Sequence, residues 1–329
     1  MIPAPASRIA GTGMAVPAKI LTNLDLEKMV ATSDAWIRER SGIERRHILE
    51  NGKTNSDIAT EAGRNALADA GIKPEEIECI LVATITPDSP FPSTACHVQA
   101  KLGALHAAVF DISAACSGFI YALALADSLI RSGMFHRILA IGSEALSRFT
   151  DWQDRSTCVL FGDGAGAAVL VPSDDHRGVL TSYLRSDGRL VGLLNVPGCG
   201  STLPATHEVV EQRQQFIKME GREVFKHAVR TMVDAARHAL RQAKLHPEDI
   251  DFLIPHQANM RIIDAITERL HLPREKVIVN LNEYGNTSAA SIPIAFDEAR
   301  KSGRIREGHK CLLVAFGGGF TWASSIVQF

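Results

Sequence analysis

The sequence predicts an α/β protein assembled from two similar halves, and three observations carry that prediction. Helical and strand signals alternate along the 329 residues, with Pro and Gly between them, as in a layered α/β fold. The segment NALADAGIKPEEIECILVA from Asn65 matches HALRQAKLHPEDIDFLIPH from His238, 173 positions on, with Ala, Leu, Ala, Pro, Glu and Ile recurring at the same places. RILAIG from Arg137 likewise aligns with LLVAFG from Leu312, 175 positions on. A break at VPSDDHRG divides the chain into halves 1–172 and 173–329.

Both members of the first pair read as helix, Pro-initiated turn, then buried strand. Next, a short β-like run from Ala107 to Ile112 gives way to GFIYALALADSLIRSG, a long helical run apolar on nearly every face, which marks a buried helix. In the second half, NLNEYGNTSAASIPIAFDEARKSG falls opposite this junction, with Asn286 in the place of Cys116 at a separation of 170. Both helices open with small residues: Ala114, Ala115, Ser117 and Gly118 in one, Ser288, Ala289, Ala290 and Ser291 in the other. Small residues let helices approach closely, so a pseudo-two-fold arrangement would bring Cys116 and Asn286 together near the middle of the molecule. Between these elements, Lys218, Arg222, Lys226 and Arg230 recur every four residues along one face of a helix, with Phe225, Val229, Met232 and Val233 on its apolar side.

Composition narrows the function classes. Hydrophobic residues make up 46% and charged residues 22% of the chain, which argues against disorder, and the net charge is −2. No global field therefore draws the chain to nucleic acid or anionic lipid, and an anionic partner must meet a local basic patch. No apolar run is long enough to span a membrane. The N-terminal MIPAPASRIAGTGMAVPAKI lacks a basic stretch followed by an apolar core, so no signal peptide is expected. The six cysteines lie far apart with no C-x-x-C pair, which points to free thiols in a reducing cytoplasm and away from a metal site.

Three residues carry candidate chemistry. A thiol where a strand yields to a helix, as at Cys116, faces unpaired N–H groups and the positive end of the helix dipole, which favour thiolate. Apolar burial opposes ionisation, and a small core residue is the plain alternative. His256 follows the buried strand IDFLIP and opens the polar run HQANMR, at the strand end where α/β folds place ligands; a surface-loop histidine is its alternative. Asn286 could equally cap a helix behind a flexible glycine. The Gly-rich FGDGAGAAVLV precedes a strand and is not G-x-G-x-x-G, so it is no dinucleotide fingerprint. A G-x-S-x-G elbow is absent too.

ACSGF, HQAN, GNTSAAS and AFGGGFTW together resemble the signatures of thiolase-superfamily condensing enzymes, and the set is similar to that of β-ketoacyl-acyl-carrier-protein synthase III. GTGMAVP, TSDAWIRERSGIERRH, FPSTACHVQ, FGDGAGAAVL and FGGGFTWASSIVQF extend the resemblance over residues 8 to 329. The G-F-G-P-G loop typical of chalcone-synthase-like enzymes is absent. The resemblance implies a five-layer αβαβα thiolase-like fold, a homodimer, and acyl transfer from acyl-CoA to malonyl-acyl carrier protein with loss of CO₂. It implies Cys116 as nucleophile, His256 and Asn286 as donors to the thioester oxygen, and the N–H groups of Cys116 and Gly318 as oxyanion hole. It places CoA against Trp36, Arg40, Arg155 and Asn259, and the carrier protein on Lys226, Arg261 and Arg222. Phe91 would cap the partner's acyl pocket. No cofactor or metal is implied, because the CoA thioester is a substrate. Two other readings keep most of these residues: a starter enzyme of a secondary-metabolite pathway, and a non-catalytic acyl or carrier-protein scaffold.

Overall fold

The computed structural model describes residues 7–175 and 177–329, and its strands gather into two main sheets. β1 (Ser7–Ala15), β2 (Cys79–Ala83), β3 (Ala108–Ile112), β4 (Ile138–Glu144) and β5 (Gly164–Pro172) form the first, in the order β1-β5-β4-β2-β3. β6 (Gly178–Ser186), β7 (Phe252–Pro255), β8 (Lys310–Gly317) and β9 (Thr321–Gln328) form the second, in the order β6-β9-β8-β7. The pairing directions repeat as well. β1 with β5 and β5 with β4 are antiparallel, β4 with β2 parallel; β6 with β9 and β9 with β8 are antiparallel, β8 with β7 parallel. β3 runs parallel to β2, and its counterpart shrinks to a single parallel bridge between Leu253 and Val277.

The pleat explains the layers. Ile80, Val82, Leu139 and Ile141 point to one side of the first sheet, against α2 (Asn55–Ala70) and α3 (Thr94–Leu102). Their neighbours Cys79, Leu81, Ala83, Ile138 and Ala140 point to the other side, where they share a core with Cys311, Leu313 and Ala315 of the second sheet. Leu312, Val314 and Phe316 face outward again, under α5 (Gly221–Ala243). Both faces of the central strands β2, β4 and β8 are thus buried, and strands buried on both faces read as continuous apolar runs. Between the sheets lie α4 (Gly118–Arg131) and α7 (Ser291–Lys301), each packed against strands of both. The order is helix, sheet, helix, sheet, helix: the five layers the resemblance implies.

Strand pairing corrects two details of the internal repeat. Cys79 pairs with Ile138 and Phe252 pairs with Cys311, so β4 matches β8 at the same 173-residue separation as β2 matches β7. The alignment of RILAIG with LLVAFG is therefore slipped by two residues, a shift that keeps each side chain on its face and so hides in the hydrophobic pattern. At the central junctions a 3₁₀ turn precedes each helix, Ala115–Ser117 before α4 and Ser288–Ala290 before α7. Ala115 has φ +46° and Ser288 has φ +47°. The place equivalent to Cys116 is thus Ala289, and Asn286 stands opposite Ser113. Runs of small residues align equally well in several registers, which is why the sequence pattern misplaced this match.

Each turn seats against a strand of the other half because glycine lines the contact. A Cβ on Gly142 would stand 2.3 Å from the Ala289 carbonyl oxygen, and one on Gly317 would stand 2.5 Å from the Cys116 nitrogen. Gly142→Ala is expected to destabilise the fold by about 3 kcal/mol or more, because the obstacle is backbone and cannot swing away; equilibrium denaturation against the parent checks it.

Candidate active site

Cys116 sits on the 3₁₀ turn that β3 delivers at the mouth of α4, half-buried, with Ala115 forced into the left-handed region beside it. Non-glycine residues held there are strained by about 1–3 kcal/mol, and such strain clusters at functional sites. The thiol opens on two cavities. One, of about 360 Å³, is walled by Ile85, Leu146, Phe161, Leu194, Val196 and Ile217, with Ser288, Gly318 and Gly319 also in its lining. The other, of about 120 Å³, is lined by Cys116, His256 and Asn286 together, with Phe225, Asn259 and Phe316. Folding therefore brings the three candidate residues to one space from three elements.

Each partner is fixed by its own hydrogen bonds. His256 follows β7; its N–H donates to the Val314 carbonyl at 2.8 Å, and its Nδ1 lies 2.7 Å from Ser291 Oγ at the start of α7. The ring is buried, and burial holds its pKa down to about 3, so the imidazole is neutral. Asn286 Oδ1 accepts from the Ser288 N–H at 2.9 Å. That bond assigns the amide and leaves the Nδ2 hydrogens for the cavity. Its backbone is tied on both sides, donating to Leu160 O at 2.8 Å and accepting from Gly162 N at 3.0 Å. Burial pushes the Cys116 thiol up to about 12, opposed by a hydrogen bond with Ser288. Desolvation outweighs the groups that would favour the thiolate.

Three polar neighbours of the site lie outside the candidates read from the sequence: Ser291 behind His256 and Ser288 beside Cys116, which count there only as small residues, and Glu144 at the end of β4. Glu144 is fully buried, and its carboxylate accepts from Ser288 Oγ at 3.0 Å and from Thr86 Oγ1 at 2.6 Å. A carboxylate closing the apolar run ILAIGS is the signal that could have found it.

Residues 110–188 and 240–329 match the family models described as 3-Oxoacyl-[acyl-carrier-protein (ACP)] synthase III and 3-Oxoacyl-[acyl-carrier-protein (ACP)] synthase III C terminal. A curated relative from Caldanaerobacter subterraneus subsp. tengcongensis, named beta-ketoacyl-[acyl-carrier-protein] synthase III, is 56% identical over 323 residues, 98% of either chain. The chain belongs to the 3-oxoacyl-[acyl-carrier-protein] synthase III family. The crystal structure of the synthase III from Aquifex aeolicus superposes with a TM-score of 0.92 at 49% identity, covering 98% of this chain and 100% of that one. The priming β-ketosynthase of the R1128 polyketide pathway superposes at 0.91 with 35% identity, covering 99% and 97%.

The other residues expected from likeness to synthase III fall in two groups. Around the mouth of the smaller cavity lies a wider one of about 530 Å³, lined by Trp36, Arg40, Arg222, Phe225, Lys226, Asn259 and Arg261. Trp36 lies on α1 (Asp34–Ser41), and the Arg155 guanidinium stands 4.8 Å from its ring centre while Arg40 stands at 6.0 Å. Asn259 caps α6 (Met260–Arg269) through the Arg261 N–H and donates to Arg40 O at 2.9 Å, joining the two helices that frame this mouth. Arg222, Lys226 and Arg230 are exposed on α5. Lys218 is not on that face. Gly221 starts the helix, and Lys218 belongs to a two-residue strand, Lys218–Met219, paired with Leu194–Asn195. Phe91 is 84% exposed and touches neither cavity around Cys116. Among the described residues no group of three or more His, Cys, Asp and Glu could hold a metal ion, and no helix is long and apolar enough to cross a membrane.

His256 sets a pH test. An exposed histidine takes up a proton near 6.5, whereas His256 in the fold does so near 3. The unfolded chain thus binds the extra proton between these values, so the contribution is complete above about pH 6.5 and shrinks as pH falls toward 3. His256→Asn is expected to lose thermal stability less steeply than the parent between about pH 6.5 and 4, as followed by melting temperature.

Proposed function

We propose that the chain starts fatty acid synthesis, condensing a short acyl-CoA, acetyl-CoA foremost, with malonyl-acyl carrier protein to give 3-oxoacyl-acyl carrier protein, CO₂ and CoA. The observation that carries this reading is the convergence of Cys116, His256 and Asn286 on one cavity. Cys116 attacks the acyl-CoA carbonyl and keeps the acyl group as a thioester, dividing one transfer into two. The Cys116 and Gly318 N–H groups receive the oxyanion; both residues line the larger cavity, and its apolar walls suit an uncharged acyl chain. After CoA leaves, malonyl-carrier protein enters and loses CO₂. Ser291 donating to Nδ1 leaves Nε2 of His256 as an N–H donor, and Asn286 Nδ2 supplies the second. Both stabilise the enolate before its carbon attacks the acyl-cysteine. A neutral imidazole suits this task, since it donates without carrying its own charge into a buried site.

CoA and the carrier protein share the wide mouth. The adenine takes the Trp36 face, with Arg155 and Arg40 near the phosphates and Asn259 along the pantetheine path. Arg222, Lys226 and Arg261 receive an acidic carrier; these cations face solvent while the chain as a whole carries −2. We place the enzyme in the cytoplasm as a homodimer. Support for the dimer comes from β3, paired with β2 on one edge only, beside exposed Phe91, Leu105 and Phe110. Long exposed apolar edges are otherwise a liability, and Phe91 so covered would reach the second subunit's acyl pocket. The division at residues 172 and 173 is part of the same reading, with the nucleophile in one half and both donors in the other. The likeness to a polyketide priming synthase supports one rival, a secondary-pathway starter, which would favour longer or aromatic primers.

Intact-protein mass spectrometry after incubation with a panel of acyl-CoAs tests the reading. One acyl group should add to the parent and none to Cys116→Ala, with acetyl loading fastest; no adduct from any primer would sink the covalent mechanism. His256→Ala and Asn286→Ala should still load acyl groups but lose about 10²–10³ in condensation rate. Reversing charge with Arg222→Glu and Lys226→Glu should raise KM for malonyl-carrier protein about tenfold and flatten its salt dependence, as initial rates at two ionic strengths would register.

A further inference from the structure

The acyl-loading step proposed above requires the Cys116 thiol to part with its proton while sulfur attacks the thioester. His256 is a poor place for that proton, being held unprotonated to about pH 3 with Nδ1 engaged by Ser291. One hydroxyl away on the other side stands a buried acid. We propose that Glu144 holds the Cys116 proton during acyl loading, reached through the hydroxyl of Ser288. This inference rests on the covalent mechanism and adds to it a positioning residue that acts through Ser288.

The donors around the carboxylate give it a direction. Thr86 Oγ1 accepts from the Ala145 N–H at 2.8 Å, which frees its own proton for Glu144 Oε2 at 2.6 Å. Thr84 Oγ1 accepts from Asn55 Nδ2 at 2.9 Å and from the Thr86 N–H at 3.0 Å, and its proton turns to the same Oε2 at 3.2 Å. The Ile85 N–H donates there as well, at 3.2 Å. Three donors saturate Oε2. A proton arriving at this carboxylate must settle on Oε1, whose partner is Ser288 Oγ at 3.0 Å. Ser288 and Cys116 stand on the two facing 3₁₀ turns and line the same larger cavity. The line runs from sulfur through one hydroxyl to the single oxygen able to take a proton. Burial pushes Glu144 up to about 7 despite its donors, near the value at which an acid both accepts and returns a proton readily.

The step balances. The thiol proton passes to Ser288 Oγ as the Ser288 proton passes to Glu144 Oε1, and the sulfur electron pair forms the bond to the acyl carbon. Collapse of the tetrahedral adduct breaks the bond from that carbon to the CoA sulfur. The leaving CoA thiolate takes a proton by the reverse path, restoring Ser288 and the Glu144 carboxylate. The sum is a thioester exchange with no further reactant.

Two variants test the line, Glu144→Gln, which keeps the shape, and Ser288→Ala, at a φ that Ala115 already adopts in the equivalent turn. Rapid-quench mass spectrometry follows loading of Cys116 from acetyl-CoA, and CO₂ release follows decarboxylation of malonyl-carrier protein, which needs no thiol proton. Loading is expected to slow about 100-fold in both variants, with CO₂ release within about threefold of the parent, a split that a merely architectural role would not produce. Loading within about threefold of the parent in either folded variant would overturn the proposal, as would an equal fall in both half-reactions. Should Glu144→Gln not fold, Ser288→Ala decides. The parent enzyme is the control for the underlying reading: if it does not load, the covalent mechanism fails, and if it loads as fast as both variants, only the proton line does.

Discussion

The structure depends on how closely the two central turns approach. Gly142 lies against the Ala289 carbonyl, Gly118 against Ala83 and Ala289, and Gly317 against the Cys116 nitrogen, each with no room for a side chain. Contact between backbones leaves little freedom to what those backbones carry. Cys116 and Ser288 therefore hold their places through main-chain geometry, not through long side chains that could swing. The left-handed φ at Ala115 and Ser288 is the local cost of that closeness, about 1–3 kcal/mol at each. Central strands buried on both faces supply the rigidity that sustains it.

Much of this architecture was legible in the sequence because it rests on period and repetition. Apolar runs such as CILVA and CLLVAF announce strands covered on both faces, and the 173-residue repeat announces paired sheets. The errors were of register: a two-residue slip along β8 and a three-residue slip at the Asn286 turn, both invisible to a pattern that scores only apolar character. Cys116 and His256 stood out because each is a reactive side chain just past a strand, and Asn286 because it precedes a run of small residues behind a glycine. Ser288, Ser291 and Glu144 did not, since their meaning lies in contacts across 144 and 35 positions of chain. Lys218 illustrates the opposite error. Its four-residue spacing was real, but Gly221 begins the helix after it.

The two halves share a scaffold and divide the labour. Each sheet delivers a strained turn to the centre, yet one turn presents a thiol and the other an alanine at the matching place. Where the first half has the full strand β3, the second keeps only the Leu253–Val277 bridge. The chain between that bridge and α7 instead makes the short helix Leu281–Tyr284 and the loop that carries Asn286. The shorter pairing on one side thus leaves a loop that brings Asn286 to the cavity Cys116 also lines.

The half-buried, desolvated Cys116 thiol has a consequence for the life of the enzyme among oxidants. Peroxides and electrophiles react with thiolate, and a sulfur whose pKa is pushed up to about 12 offers almost none at rest. Cys199 is exposed, by contrast, and Cys79, Cys158 and Cys311 are buried. Access therefore favours attack on Cys199 over Cys116 in the resting chain. In the proposed mechanism that sulfur becomes an anion only in the step that consumes it, so the desolvation that raises its pKa also keeps it in store until then.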